Sequence, residues 1–170
     1  MIERELALGG WLRAETRAMT DSIGRTDAAW KLSEALAERV RKHPRIEAWT
    51  GATALGWYEG NLLPVMSVNG IATFEPVNLL IAIETYECFQ PFAGSDRPRV
   101  MLAGAAQRLA NLAYVRPGHV AVVVTNECYG YAVATQLRDV GVRIAAVVDY
   151  RPEHEIFVDE TAGALARDGV

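Results

Sequence analysis

Residues 119–131 read HVAVVVTNECYGY, and their reading decides the fold. An apolar run from His119 to Thr125 breaks into Asn126, Glu127, Cys128, Tyr129 and Gly130. A helical pattern, AVATQLRDV, follows, then Gly141, then a second apolar run, VRIAAVVD, that ends on Asp149. Strand, tight turn, helix, strand and terminal acid within about thirty residues is the layout of a nucleotide-binding βαβ unit. Two of the three glycines usual in such a turn are missing. Gly130 remains and can serve close packing of helix on strand. Asn126 tolerates left-handed backbone angles and can stand in for the glycine of the tight turn. Tyr129 puts bulk near the place a phosphate would occupy. Asp149, 19 residues after Gly130, is placed for a ribose hydroxyl. The open alternative is a structural βαβ unit whose turn has lost its ligand.

Outward from this stretch, Arg116-Pro117-Gly118 makes the turn into the unit, and RVMLAGAAQRLANLAY (99–114) predicts a helix whose alanines permit close packing. FQPFAGSDRP reads as an irregular loop. Upstream, VNLLIAIETYE predicts a buried strand. IEAWT, ATALGWY and NLLPVMSV predict short strands joined by turns at Glu59-Gly60-Asn61 and Asn69-Gly70. A helix is predicted from Asp27, as N-cap, to about Lys42, with Ala28, Lys31, Leu32, Ala35, Leu36 and Val40 on its apolar face. After Asp149 the tail is mixed and acidic, with room for one short strand or helix. The order implies an α/β fold with an inserted antiparallel ribbon.

The 170 residues suffice for one domain with a core, or for a piece of something larger. They are 51% apolar and 22% charged, with a net charge of −4. That acidity argues against nucleic acid or an anionic membrane as the main partner. No apolar run approaches the roughly 20 residues of a membrane span, and no signal peptide opens the chain. Cys88 and Cys128 lie far apart, without Cys/His clustering, which implies free thiols in a reducing cytoplasm and no metal site.

Two blocks carry a resemblance. SDRPRVMLA (95–103), and TNE (125–127) with the closing VVDYRPE (147–153), resemble the NDRPGVMLA-type loop, VVxTNND-type strand end and VVDxRPE closure of the α subunit of heterotetrameric sarcosine oxidase and its relatives. Upstream, ELALGGWLRAE resembles that family's ELGGxLL segment, ALGWYEGNLL its FGYYDxNxL hairpin, and AIETYECFQPF its ATGAxERPLVF strand end. The resemblance covers most of residues 3–153. It makes Asn126 a family trait, and implies a partial FAD/NAD(P)-binding, two-dinucleotide-domain fold with a Rossmann-like βαβ unit. Residues 1–45 would be a remnant of the first unit, 46–92 the ribbon and return strand, 93–155 the second, NAD-type domain, and 156–170 a tail.

The resemblance also implies function. In that family a flavin in a companion subunit oxidises the N-methyl group of sarcosine or a related secondary amine, and the α chain binds NAD and shares a second flavin at the interface. On this chain the implied cofactor-binding residues are Glu3, Gly9, Gly10, Arg97, Thr125, Asn126, Gly130 and Asp149. Glu3 matches the ribose-binding acid of the first unit. Arg97 either pairs with a cofactor phosphate or braces its loop against Asp96. Three departures stand out. The family's ATG triplet is Ala82-Ile83-Glu84, and a carboxylate at Glu84 opposes a phosphate. The ribbon between Val68 and Val77 is shorter. The phosphate loop expected before Glu3, and the family's folate-binding C-terminal half, have no counterpart here. The expectation is therefore a truncated subunit: NAD weakly held, FAD or FMN only in a full-length or multisubunit assembly, and a companion flavin subunit or a second copy as partner. A non-catalytic α/β interaction module is the alternative. No residue stands out as a catalytic acid, base or nucleophile. His43, His119 and His154 read as helix caps or solvated surface, Cys128 as a thiol at a helix N-terminus, and Trp11, Trp30, Trp49 and Trp57 as packing or interface residues. Trp11, Leu12 and the apolar face of the 27–42 helix are expected on an uncovered surface.

Overall fold

The structure, a computed structural model, describes residues 1–83, 85, 87–152, 160–167 and 169. The chain divides into two compact units: Met1–Arg13 with Ala18–Thr85, and Ala14–Arg17 with Tyr86–Val170. The expectations about Glu84 and His154 fall outside the described residues.

In the first unit, β1 (Ile2–Glu3) pairs in parallel with β4 (Trp49–Thr50). A hairpin of β2 (Ala18–Thr20) and β3 (Thr26–Ala28) precedes α1 (Ala29–Lys42). Asp21 closes that hairpin, its Oδ1 accepting from the amides of Ile23 and Arg25 at 3.0 and 2.9 Å, while Gly24 takes φ +81°. The predicted N-cap shifts by one residue. Ala28 holds that position without a side-chain bond, because the Asp27 carboxylate turns to the Ala28 amide (2.8 Å) and to Lys31 (3.5 Å). The buried stripe of α1 is rotated from the predicted one. Ala29, Leu32, Ser33 and Ala37 are buried, whereas Lys31 and Leu36 are exposed. Ser33 explains the rotation, since its hydroxyl donates to the Gly9 carbonyl at 3.1 Å and draws that face onto the loop.

The ribbon forms as the turn residues predict. β5 (Thr53–Ala54), β6 (Leu63–Ser67) and β7 (Gly70–Phe74) make an antiparallel sheet in that order, with Val65 fully buried and Trp49 edge-on to Phe74 at 5.0 Å. The buried strand predicted at 77–87 does not form among the described residues. Val77, Leu80 and Ile83 are 94%, 90% and 86% exposed. A strand buried on both faces needs ladder partners, and none of the described strands supplies one.

The second unit is built around β8 (Val120–Thr125), α3 (Cys128–Asp139) and β9 (Arg143–Asp149). β8 and β9 pair in parallel from Val120↔Arg143 to Thr125↔Asp149, with a register shift at Ala121/Val122. α3 starts at Cys128, and Gly141 (φ +85°) ends the connection, both as the sequence pattern reads. α2 (Ala103–Asn111) is shorter than its predicted span, but its alanines pack as expected. Ala106 and Ala110 join Val123, Tyr131, Val133, Ala134, Leu137, Val142 and Ile144 in the core, with Leu165 of α4 (Glu160–Arg167). The opposite face of the β8–β9 pair is apolar and open: Val120, Val122 and Val148 are exposed.

Ala14–Arg17 is held in this second unit by a buried polar cluster. Glu15 has no exposed surface, and accepts from the Arg17 amide (2.8 Å), the Arg17 guanidinium (2.9 Å) and Gln136 Nε2 (3.0 Å). Gln136 Oε1 in turn accepts from the Thr16 amide, Gln107 and Asn111, and Asn111 also donates to the Ala14 carbonyl. Buried polar groups must be paired, and each member here is.

Candidate nucleotide-binding turn

The parallel register puts the last residue of each strand side by side. Thr125 and Asp149 are Cα partners at the carboxyl ends of β8 and β9, and the Tyr150 amide donates to the Thr125 carbonyl at 3.0 Å. Crevices at such strand ends are where open α/β sheets bind ligands. Thr125 shapes the turn itself. Its hydroxyl donates to the Glu127 carbonyl at 2.9 Å and accepts from the Glu127 amide at 3.2 Å. Asn126, Glu127 and Cys128 are exposed, and α3 begins without a side-chain cap on its first amides. Uncapped amides at a helix N-terminus suit an anion.

Gly130 is fixed by packing. A Cβ built there would lie 2.4 Å from both Cβ and Oγ1 of Thr125, so only glycine lets α3 lie this close to β8. This is the packing role read for it from the sequence. Asn126 is different. It has no positive φ, so the left-handed stand-in expected of it is not used. The Thr125 hydroxyl bonds tighten the turn instead. Tyr129 also departs from expectation. Its hydroxyl donates to Gln107 Oε1 at 2.6 Å, so its bulk is engaged with α2 and not with the mouth of the turn. Burial, with Glu87 and Glu15 adding to it, pushes its pKa up to about 12.

Asp149 is occupied by a residue that the sequence reading passed over. Its Oδ1 accepts from the Arg151 amide (2.9 Å) and Nε (3.1 Å), and its Oδ2 from Nε (3.1 Å) and Nη2 (2.6 Å). Its side chain is 2% exposed, and these bonds to Arg151 hold its carboxyl below the usual carboxylate range against the opposing effect of burial. Arg151 Nη1 reaches Cys128 Sγ at 3.3 Å, and its guanidinium lies over the Tyr131 ring at 6.0 Å. An acid at a strand end with arginine two residues later was the available signal. The buried Glu15, Gln107 and Gln136 carried none, being polar residues without a motif.

The remaining site residues do not gather at this turn. Arg97 lies exposed in the preceding loop, its side chain beside Gly94. Glu3, Gly9 and Gly10 belong to the first unit. Glu3 Oε1 accepts from the Glu5 amide at 2.8 Å. Gly9 has φ +117°, and a Cβ there would fall 2.0 Å from Ser33 Oγ. Gly10 (φ +54°) opens a short 3-10 helix, Gly10–Ala14. His43 is the C-cap residue of α1, and His119 meets Arg116 at 3.0 Å. Cys88 and Cys128 are free and exposed. Trp11, Trp30 and Trp57 are exposed to 37%, 41% and 62%, and Trp49 sits edge-on to the Phe74 ring. Among the described residues no group of His, Cys, Asp and Glu could hold a metal ion, and no helix is long and apolar enough to cross a membrane.

The described residues form an α/β chain with a parallel βαβ unit and an antiparallel ribbon, and a solved structure shares this fold. L-proline dehydrogenase from P. horikoshii matches 86% of this chain and 30% of its own with a TM-score of 0.73, at 21% identity. In sequence the chain is similar to the sarcosine oxidase subunit alpha of Rhizobium meliloti (strain 1021), at 33% identity over 158 residues. The resemblance to the sarcosine oxidase α subunit read from the sequence is thus shown by direct comparison. The match takes in 85% of this chain and 16% of that relative, so the chain spans about a sixth of the relative's length. No protein-family model matches the chain.

Proposed function

We propose that this chain is a nucleotide-binding scaffold of a flavin-dependent amine oxidoreductase of the sarcosine oxidase α type, with a Rossmann-like NAD site at the 125–130 turn. One observation carries the reading: Thr125 and Asp149 stand side by side at parallel strand ends, beside an uncapped helix that Gly130 alone allows so close. The residues fit the group at its phosphate end. The amides at the start of α3 would take the pyrophosphate and Asp149 the ribose, with Arg97 assisting a phosphate from its loop. Glu3, Gly9 and Gly10 would serve the first dinucleotide site in a larger assembly. The bound cofactors supply the hydride chemistry, and the protein positions them. FAD or FMN belongs to that assembly, and the companion is a flavin subunit that brings the amine, sarcosine or a related secondary amine, to the chemistry. The setting proposed is the cytoplasm, where Cys88 and Cys128 stay reduced.

Calorimetric titration of the 170-residue chain with NAD+ tests this. Binding in the high micromolar range or weaker is expected, abolished by a bulky residue at Asn126 such as Asn126→Trp. No heat up to millimolar NAD+ overturns the NAD site, and chain purified with stoichiometric yellow flavin overturns the assignment of flavin to the assembly.

A second reading is a non-catalytic interaction module. It is favoured by the engagement of both Asp149 oxygens and by the open apolar face at Val120, Val122 and Val148. Failure of nucleotide binding together with self-association in sedimentation would select it.

A further inference from the structure

The acid that should receive a ribose is already taken. A ribose diol binds a strand-end carboxylate by donating its two hydroxyls to the two oxygens. In this chain Arg151 delivers the same kind of donation, with Nε and Nη2 on the oxygens of Asp149 and its backbone amide added. The arginine is itself anchored. Its third nitrogen rests on Cys128 Sγ at the first residue of α3, and the Tyr131 ring lies beneath it. The Asp149 side chain is thus almost closed to solvent, at 2% exposure, while the Arg151 side chain above it is 15% exposed. The guanidinium is the lid and the carboxylate the floor.

We propose that Arg151 is a latch on the nucleotide site: it imitates the ribose diol in the free chain, and a nucleotide gains Asp149 only by displacing it. This rests on the reading of the 125–130 turn and Asp149 as a dinucleotide site, and adds a regulatory element to it. The arginine's fork is a charge-assisted, two-point bond, stronger than the neutral hydroxyl bonds that replace it. Free chain therefore holds the ribose-competent state as a minor population, and apparent affinity falls in proportion to that population. Removing the latch leaves a buried carboxylate short of donors, which the diol can supply. NADP+ behaves oppositely. Its 2′-phosphate donates nothing and would face an unmasked carboxylate.

The test compares NAD+ and NADP+ binding to the wild-type chain, Arg151→Ala and Arg151→Lys by calorimetry. Arg151→Ala should tighten NAD+ by about tenfold, as expected when a state populated one part in ten becomes dominant. The same variant should weaken NADP+, and Arg151→Lys, which keeps charge but loses the fork, should fall between. Should Arg151→Ala not fold, the Nε–H resonance of Arg151 in the wild-type chain decides, because saturating NAD+ must shift it. NAD+ binding that weakens in Arg151→Ala, or that saturates without moving that resonance, overturns the latch and leaves the site. Absence of NAD+ binding in every form overturns both.

Discussion

Two apolar runs of this chain look alike on paper and end differently. VAVVVT at 120–125 becomes β8, a strand with Val123 in the core. VNLLIAI at 77–83 forms no strand, and Leu80 is 90% exposed. Both are rich in β-branched or aliphatic residues, so propensity does not separate them. Company does. β8 has a parallel partner in β9 and a helix, α3, that returns across it within one short connection. The 77–83 run has no such return among the described residues. Hydrophobicity nominates a strand, and the availability of a ladder partner decides whether it forms.

The largest way to break the contrast is to unmake the second unit from within. Gln136→Leu removes the donor to Glu15 and the acceptor of Thr16, Gln107 and Asn111 in one step. A buried carboxylate then loses one of its partners and several donors are orphaned, at a cost of about 3 kcal/mol. Urea unfolding followed by circular dichroism should show that drop. A change under about 1 kcal/mol would mean that the cluster is hydrated and does not anchor Ala14–Arg17.

Gly130→Ala comes next. Its new Cβ has no space against Thr125, so α3 must lift from β8, costing about 2 kcal/mol as overpacking does. Gly24→Ala meets no neighbour within 4 Å, although its positive φ adds strain of its own. The smaller loss is expected there, with thermal melts as the measure. Equal losses would show backbone strain, and not helix–strand packing, to be what glycine supplies.

How far the sequence disclosed these outcomes follows from how local each cause is. The βαβ unit was legible because its period switches from strand to helix and back around Gly130 and Gly141. The ribbon was legible from its turn residues. The β2–β3 hairpin was not seen, though Asp21 and Gly24 are its signals, because they sit in a polar stretch without alternation. The pairing of Glu15 with Gln136 spans 121 positions and leaves no local trace. Arg151 was legible in principle, since an arginine two residues after a strand-ending acid is within reach of its carboxylate.

A smaller effect tests that partner. The Arg151 bonds lower the Asp149 pKa, so the pair contributes stability that is fully present above the unfolded carboxyl value, about 3.9. It is lost as pH falls through the lower folded value. The stability gap between wild type and Asp149→Asn should accordingly be open at pH 7 and close progressively in acid, below about pH 4. A gap that persists unchanged in acid would assign the loss to packing and not to charge.

The smallest effect bears most directly on the two runs. Leu80→Asp places a charge on a residue that is already in solvent, so the isolated chain should change in stability by no more than about 0.5 kcal/mol. The same substitution at Val123, in the core, should cost several times more. Chemical denaturation of both variants under one set of conditions gives the ratio. A large loss from Leu80→Asp would mean that 77–83 does find a partner in the folded chain, and that the buried strand read from its pattern is present after all. If stability holds while sedimentation shows the wild-type chain associating and Leu80→Asp remaining monomeric, the run is apolar for the sake of a surface outside this chain. That outcome would support the companion subunit or second copy, because a partner is what turns an exposed apolar run into a buried one.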